Sequence, residues 1–359
     1  MNGTPERPLR VLHMHFGREG GAERFFVNLV TALAARGVEQ RFIIRPDRSW
    51  HREIAPFGPV IQNNFRRLEI GGNLMHLRVR WLIWRWKPDA IMAWMPRAAR
   101  LIPKRAKAVK IARMGDFPKH LKHFVNCDVL VGNIPGIADR VRALGWTRPA
   151  ITISNFPRDV APDPVARAAL GTPEDAFLIA AGGRFVPRKG FDTALRALAL
   201  LPGAWLWLIG DGVEREALER LAAELGVADR VRFTGWVGEP IHHIAAADAF
   251  VLPSRHEPLG NVLLEAWAAG TPSVSTRSEG PSWFMRDGVD GLMVPINDAP
   301  AMAAALARLR EDRDAAKGFA RNARDRLAAM FSEEGIAGAY LRLFAGDLTD
   351  PADPAARAG

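Results

Sequence analysis

The chain reads as an α/β protein of two Rossmann-like domains, each a parallel sheet with helices on both faces. Three observations predict this. Short apolar runs alternate with helical patterns along most of the length, the signature of parallel sheets wrapped by helices. Two glycine turns, at 17–21 and at Gly182 and Gly183, each close an apolar run and precede a helical pattern, as a ligand-binding strand-to-helix turn does. Between the halves lies PRDVAPDPVARAALGTPEDA, residues 157–176, rich in Pro and Ala, which contains the expected linker.

The elements follow in order. Leu9, Val11, Leu12 and Met14 form a first buried strand, 25–35 has amphipathic helical spacing that stops at Gly37, and 40–44 is a second strand. In this βαβ opening Gly20 and Gly21 are placed to bring backbone close to a ligand. Residues 74–87, LMHLRVRWLIWRWK, predict a basic and aromatic helix ending before Pro88. Its Trp81, Trp84 and Trp86, with Arg78, Arg80, Arg85 and Lys87, fit either an interfacial membrane helix or core tryptophans behind a solvated arginine face. Because the helix must cover a sheet, Trp81 and Trp84 are expected in the core. Further strands are expected at 89–94, 109–113, 128–131, 151–153, 177–181, 205–209, 230–233, 249–252 and 273–275, and a helix at Glu333–Phe344. The tail 347–359, DLTDPADPAARAG, is expected to be disordered.

Length and composition bound the rest. The 359 residues suit two domains, and 48% hydrophobic with 25% charged residues is a soluble globular composition. No apolar run approaches the ~18 residues of a membrane span, and no signal-peptide core precedes the first strand. Cys127 is the only cysteine, which excludes an internal disulfide. Together these predict a cytoplasmic protein. Charge is uneven: residues 1–165 hold 28 Lys+Arg against 13 Asp+Glu, +15, and the remainder 21 against 26, −5, summing to the net +10. A basic first half points to an anionic partner, either a membrane surface, a phosphorylated glycolipid or nucleic acid, unless it reflects only a preference for arginine. The run PRAARLIPKRAKAVK, 96–110, is the expected place for contact with lipid or a phosphorylated acceptor.

The chemistry concentrates in HEPLGNVLLEAWAAGTPSVST, residues 256–276. Glu257 lies in a Pro/Gly loop and Glu265 on the helix that follows. Asn261 is expected to cap that helix, so that the N–H groups of Gly260, Asn261 and Val262 face an anion. Glu265 lies one turn on, on the same side. Two carboxylates beside an anion-binding helix start suit a ligand that carries both a diphosphate and hydroxyls, as a nucleotide sugar does. About seventy residues upstream an apolar strand ends in Gly182 and Gly183, followed by Arg184 and Lys189. Two cations there would neutralise a leaving diphosphate in place of a metal, so no metal or other cofactor is expected.

The segments GGRFVPRKGFDTALRAL, AAADAFVLPSRHEPLGNVLLEAWAAGTPSVST and DGVDGLMVPINDAPAMAAALARL, with the opening HMHFGREGGAERFFVNLVTALAARGVEQRFII, resemble the retaining glycosyltransferases of family 4. The wording EPLGNVLLEAWA looks like lipopolysaccharide core transferases. The resemblance is dense over 177–309 and 9–44. It implies a GT-B fold, two Rossmann-like domains facing a central cleft: 1–165 for the acceptor, joined by a returning helix within 331–346, and 166–330 for the donor. It assigns Arg184 and Lys189 to the diphosphate, Glu257 to the hexose and Glu265 to the ribose. Gly183 and Gly260 to Val262 would lie against the donor, with Thr234 and Gly235 near its base. Gly20 and Gly21 would line the cleft. It also implies front-face substitution with retention. The partners implied are a nucleotide-sugar donor and an anionic glycolipid or envelope glycan acceptor, with peripheral contact to the inner face of a membrane and no nucleic acid.

One departure stands out. Many relatives carry a histidine after the strand at 109–113; here Asp116 falls near that place and either contacts sugar or acceptor or caps a turn. His13 is expected to be a satisfied core histidine, and His242 and His243 surface residues. DGVD, 287–290, has the look of a metal motif, but the resemblance makes it a loop beside the sheet. Two other functions stay open: another GT-B enzyme such as a sugar-nucleotide epimerase, or a non-catalytic nucleotide-sugar binder.

Overall fold

The computed structural model describes residues 7–18, 20–63 and 70–352, with backbone alone at 70–74. The chain divides into two compact units, one formed by Met1–Phe156 with Glu333–Gly359 and one by Pro157–Ser332.

The first unit holds strands β1 (Arg10–His15), β2 (Glu39–Ile44), β3 (Val60–Gln62), β4 (Ala90–Ala93), β5 (Val109–Met114), β6 (Val129–Gly132) and β7 (Ala150–Thr152). They pair in parallel in the order β3-β2-β1-β4-β5-β6-β7. The connection reverses direction between β1 and β4, a topological switch point. The central strands β1, β4, β5 and β6 are buried at most positions because helices cover both faces, and they bury His13, His15 and Arg113 among their apolar side chains.

The helix Gly21–Ala35 follows β1 and buries Phe25, Phe26, Leu29, Val30 and Leu33. Against it packs the late helix Glu333–Phe344, through Ile336, Tyr340, Leu343 and Phe344. Arg36 reaches Glu333 and Glu334 in its first turn at 2.9 and 2.6 Å. The Arg113 guanidinium, on β5, is buried and donates from Nε to the Tyr340 hydroxyl at 2.8 Å and from Nη2 to Asn155. Its carbon lies 4.5 Å from the Phe25 ring centroid and 5.3 Å from that of Trp94. In the tail, Asp350 accepts the Thr152 N–H, at the end of β7, at 3.0 Å; 353–359, the rest of the segment expected to be disordered, lie outside the described residues.

The helix Ile70–Trp86 corrects an expectation. It buries Met75, Val79, Leu82 and Trp86, but Trp81 and Trp84 are exposed, not core. One apolar face is enough to cover the sheet, and these two tryptophans lie on the other. In 96–110 the reverse holds: Ala98, Ala99, Leu101 and Ile102 point inward, and Lys110 pairs with Asp128 at 3.0 Å.

The second unit holds β8 (Phe177–Gly182), β9 (Ala204–Ile209), β10 (Val231–Gly235), β11 (Ala249–Leu252), β12 (Ser273–Thr276) and β13 (Leu292–Val294), parallel in the order β10-β9-β8-β11-β12-β13. Its switch point lies between β8 and β11. The helix Phe191–Ala199 buries Phe191, Ala194, Leu195 and Leu198, the i, i+3, i+4, i+7 stripe of an amphipathic helix. Asp298 and Asp312 cap the two long helices Ala299–Glu311 and Arg313–Met330 by accepting N–H groups of Ala301 and Ala315. Among the described residues no helix is long and apolar enough to cross a membrane.

Candidate functional site

The switch point of the second unit brings the two sequence motifs together. The loop after β8 carries Gly183, Arg184 and Lys189; the loop after β11 carries Glu257 and leads into the helix Asn261–Ala269. Lys189 Nζ forms an ion pair with Glu257 Oε2. Both side chains are largely withdrawn from solvent, 16% and 8% exposed, so the pair is weakly screened. Ser254 Oγ donates to the same carboxylate oxygen at 2.9 Å.

The two loops are also bonded through backbone. The Arg188 carbonyl accepts from Arg255 N–H at 2.8 Å and from His256 N–H at 3.2 Å. Gly190 adopts φ +66°, and a Cβ there would stand 2.2 Å from the Pro253 carbonyl oxygen, so only glycine lets the loops approach this closely. A Cβ on Gly182 would lie 3.0 Å from Val262 Cγ2, which sets the helix start directly beside the end of β8.

Asn261 is not the cap expected of it. The N-cap is Gly260, in the left-handed region, with no side-chain hydrogen bond, and Asn261 is the first helical residue. A glycine there leaves the helix start without a side-chain oxygen in front of it, so its backbone and the positive dipole end are presented directly. Glu265 follows Asn261 by one turn and is half-buried. Arg184 is exposed beside the Gly183 turn.

Thr234 and Gly235 end β10, separated from β8 by β9. Gly210 N–H donates to the Gly235 carbonyl at 2.9 Å, which ties the ends of β9 and β10. Thus Gly183 and Gly235 both lie at the carboxyl edge of the sheet, the edge where α/β sheets bind ligands.

Glu279 was not singled out from the sequence. Its carboxylate accepts the Glu257 N–H at 3.0 Å and meets His256 Nδ1 at 2.8 Å. Burial disfavours its charge, but the N–H groups of Glu279 and Glu257 and the His256 ring together hold its carboxyl below the usual range. Gly280 N–H donates to the Glu257 carbonyl at 2.8 Å. The Glu257 loop is therefore fixed from both sides, by Ser254 and by Glu279 and Gly280. The only sequence signal for Glu279 was its place just after β12.

The DGVD carboxylates face cations: Asp290 is bound by Arg286 at 2.6 Å and lies 3.5 Å from Arg326, and Asp287 by Arg277 at 2.7 Å. Among the described residues no group of three or more His, Cys, Asp or Glu could hold a metal. His242 and His243 are half-buried, not surface residues: His242 Nδ1 accepts the Asp163 N–H at 3.0 Å, and His243 meets the Trp207 ring edge-on.

In the first unit, Gly20 precedes the helix Gly21–Ala35 at the switch point, and its carbonyl accepts the Arg24 N–H at 3.0 Å. Asp116 lies after β5, two strands from β1, exposed, and its Oδ1 accepts the following N–H, of Phe117, at 2.8 Å. Trp94 Nε1 donates to His13 Nδ1 at 3.2 Å, which leaves the ring proton on Nε2 for Gln40 Oε1 at 3.1 Å. Burial pushes His13 down to about 3, so it is a neutral core histidine with both nitrogens bonded.

A family model described as Glycosyl transferases group 1 matches residues 163–326. Over 337 residues the chain is 51% identical to the lipopolysaccharide core biosynthesis glycosyltransferase LpsE of Rhizobium meliloti (strain 1021), covering 94% of this chain and 99% of that one. It is 48% identical over 336 residues to LpsD of the same organism, with the same role in its name, covering 94% and 98%. The solved structure of Anabaena HepE in complex with UDP and glucose matches with TM-score 0.78 and 21% identity, over 94% of this chain and 99% of that one. That likeness is one of fold, and the fold is GT-B.

Proposed function

Because the chain belongs to the glycosyl transferases group 1 family and is a glycosyltransferase, we propose that it transfers a sugar from a nucleotide-sugar donor to an acceptor hydroxyl with retention, as family 4 enzymes do. The acceptor is an anionic glycan of the lipopolysaccharide core or another envelope polymer, met at the cytoplasmic face of the membrane. The observation that carries the reading is the convergence of Arg184, Lys189, Glu257 and the start of the helix Asn261–Ala269 at one switch point. Cations and a helix start suit a diphosphate; a carboxylate suits sugar hydroxyls. The relatives' names support the acceptor class, and the Anabaena neighbour's UDP and glucose support the donor class.

In the proposed reaction the bond from the anomeric carbon to the diphosphate breaks as the acceptor oxygen bonds that carbon on the same face. The acceptor proton passes to the departing phosphate oxygen. Arg184, Lys189 and the helix start stabilise the charge that grows on the diphosphate, a task that needs no metal. Glu257 holds the hexose and Glu265 the ribose; Gly20, Gly21 and Asp116 serve the acceptor.

The test is a panel of UDP-, GDP-, ADP- and TDP-sugars with core oligosaccharide acceptors, the product anomer being read by NMR. Transfer with retention from one donor is expected. An inverted product, or donor turnover with no transfer to any glycan, refutes the proposal.

A further inference from the structure

We propose that the helix Ile70–Trp86 docks the protein on an anionic phospholipid surface through its outer face. The helix carries two apolar stripes. Met75, Val79, Leu82 and Trp86 are buried, and the Arg41 guanidinium closes over Trp86 at 4.7 Å. Leu77, Trp81 and Trp84 are 61%, 59% and 71% exposed. These three have i, i+4, i+7 spacing, so they form one continuous stripe. At about 100° per residue its centre lies opposite the buried one. Of nine large hydrophobic side chains that the described residues leave exposed, three sit on this single stripe. A lone exposed apolar residue needs no explanation, but an aligned set does.

The flanks identify the occupant. Arg78 and Arg85 share one side of the stripe and Arg80 takes the other, all three exposed. Indole rings favour the boundary between headgroups and acyl chains, and arginines beside them reach anionic headgroups while their stems cover apolar surface. A second copy of this chain fits less well, because a two-fold contact would set the same arginines against each other. A single convex helix also offers no groove to track a nucleic-acid backbone. The basic run 96–110 lacks an equivalent stripe, since its Leu101 and Ile102 point inward.

This inference does not rest on the sugar-transfer reading, because docking is measured with neither donor nor acceptor present. The full chain is sedimented with vesicles of phosphatidylcholine alone and of equal parts phosphatidylcholine and phosphatidylglycerol, at low and moderate salt. Brominated lipids report tryptophans that enter the bilayer. Three variants are compared: Trp81→Gln/Trp84→Gln, Arg78→Gln/Arg80→Gln/Arg85→Gln, and Lys104→Gln/Arg105→Gln/Lys107→Gln. All the changed side chains are exposed, and circular dichroism confirms folding. Binding to the anionic vesicles, weakened by salt, is expected of the wild type. Removing the arginines should weaken it about fivefold for each one lost. The tryptophan variant should lose most of the bromine quenching and bind at least about tenfold more weakly. The lysine/arginine variant of 104–107 should bind as wild type. The proposal is overturned if the wild type ignores lipid charge or if the tryptophan variant binds normally. It is equally overturned if that variant instead abolishes a dimer seen without vesicles.

Discussion

Lys189 and Glu257, 68 residues apart in the chain, form an ion pair at the switch point of the second sheet. Each carries a charge that a sugar nucleotide can use, and each holds the other in place. The pair ties the loop after β8 to the loop after β11, so cation and carboxylate act as one constellation. A change at either residue therefore reaches the other.

Replacing Arg184 or Lys189 with Ala should cut kcat/KM by about 10- to 150-fold, the loss of a charge-assisted contact worth about 1.5–3 kcal/mol. The two variants should differ in stability. Lys189→Ala deprives buried Glu257 of its cation and should lower the melting temperature, whereas exposed Arg184 can be removed with little effect on folding. Near-normal turnover in both variants would remove the basis of the diphosphate assignment.

The two carboxylates should separate by function. Glu265→Gln is expected to weaken nucleoside-diphosphate binding by calorimetry, because its proposed partner is the ribose. Glu257→Gln should reduce turnover more than that affinity, because its proposed partner is the sugar. If both changes lower nucleoside-diphosphate affinity equally, Glu257 belongs to the nucleotide and not to the hexose.

If Arg184, Lys189 and the helix start hold the diphosphate as proposed, transfer should continue in excess EDTA at its original rate. Activity that vanishes in EDTA and returns with magnesium or manganese would show that a divalent ion carries the charge instead.

The alternation of strands and helices was readable because β8 and β11 are unbroken apolar runs and the glycines that end β8 stand out. Arg184, Lys189, Glu257 and Glu265 stand out in the sequence by their spacing around those strands; the fold joins Lys189 to Glu257, while the ligand proposed for each rests on the family resemblance. Three facts were hidden. The cap at Gly260 was missed because Asn261 has the commoner capping side chain, and only the left-handed turn before it moves the helix start by one residue. The exposure of Trp81 and Trp84 was missed because Ile70–Trp86 is apolar on opposite faces, and periodicity cannot say which face meets the sheet. Glu279 lay outside any motif, and its link to Glu257 comes from the fold alone.

Acid should destabilise the first unit well before its carboxylates titrate. Burial holds His13 at about 3; burial, then Arg113, His13 and Arg48, do the same for His15. Unfolded, both rings take up a proton near pH 6.5, so from there down to about pH 3 the unfolded chain binds more protons than the native one. Stability thus falls as pH falls through that window, by about 2 kcal/mol per histidine between pH 6.5 and 5. Urea midpoints at pH 7 and 5 measure it, and His13→Gln should flatten the dependence by about half. A midpoint unchanged between the two pH values would mean that these rings are protonated in the native state.

The bond between Arg113 and Tyr340 offers the sharpest test of how the late helix holds the first unit. Tyr340→Phe keeps the ring that packs 5.9 Å from Phe344 and 6.4 Å from Phe25 but removes the acceptor of Arg113 Nε. A buried guanidinium that loses one partner should cost about 1.5–3 kcal/mol. Asn155 and the faces of Phe25 and Trp94 still hold the cation, so the lower half of that range is expected. Tyr340→Ala removes the ring as well and should cost about 3–5 kcal/mol. Chemical denaturation, read in the transition of the first unit, separates the two. If Tyr340→Phe unfolds with the wild type while Tyr340→Ala does not, the late helix is held by packing alone and the hydrogen bond adds nothing.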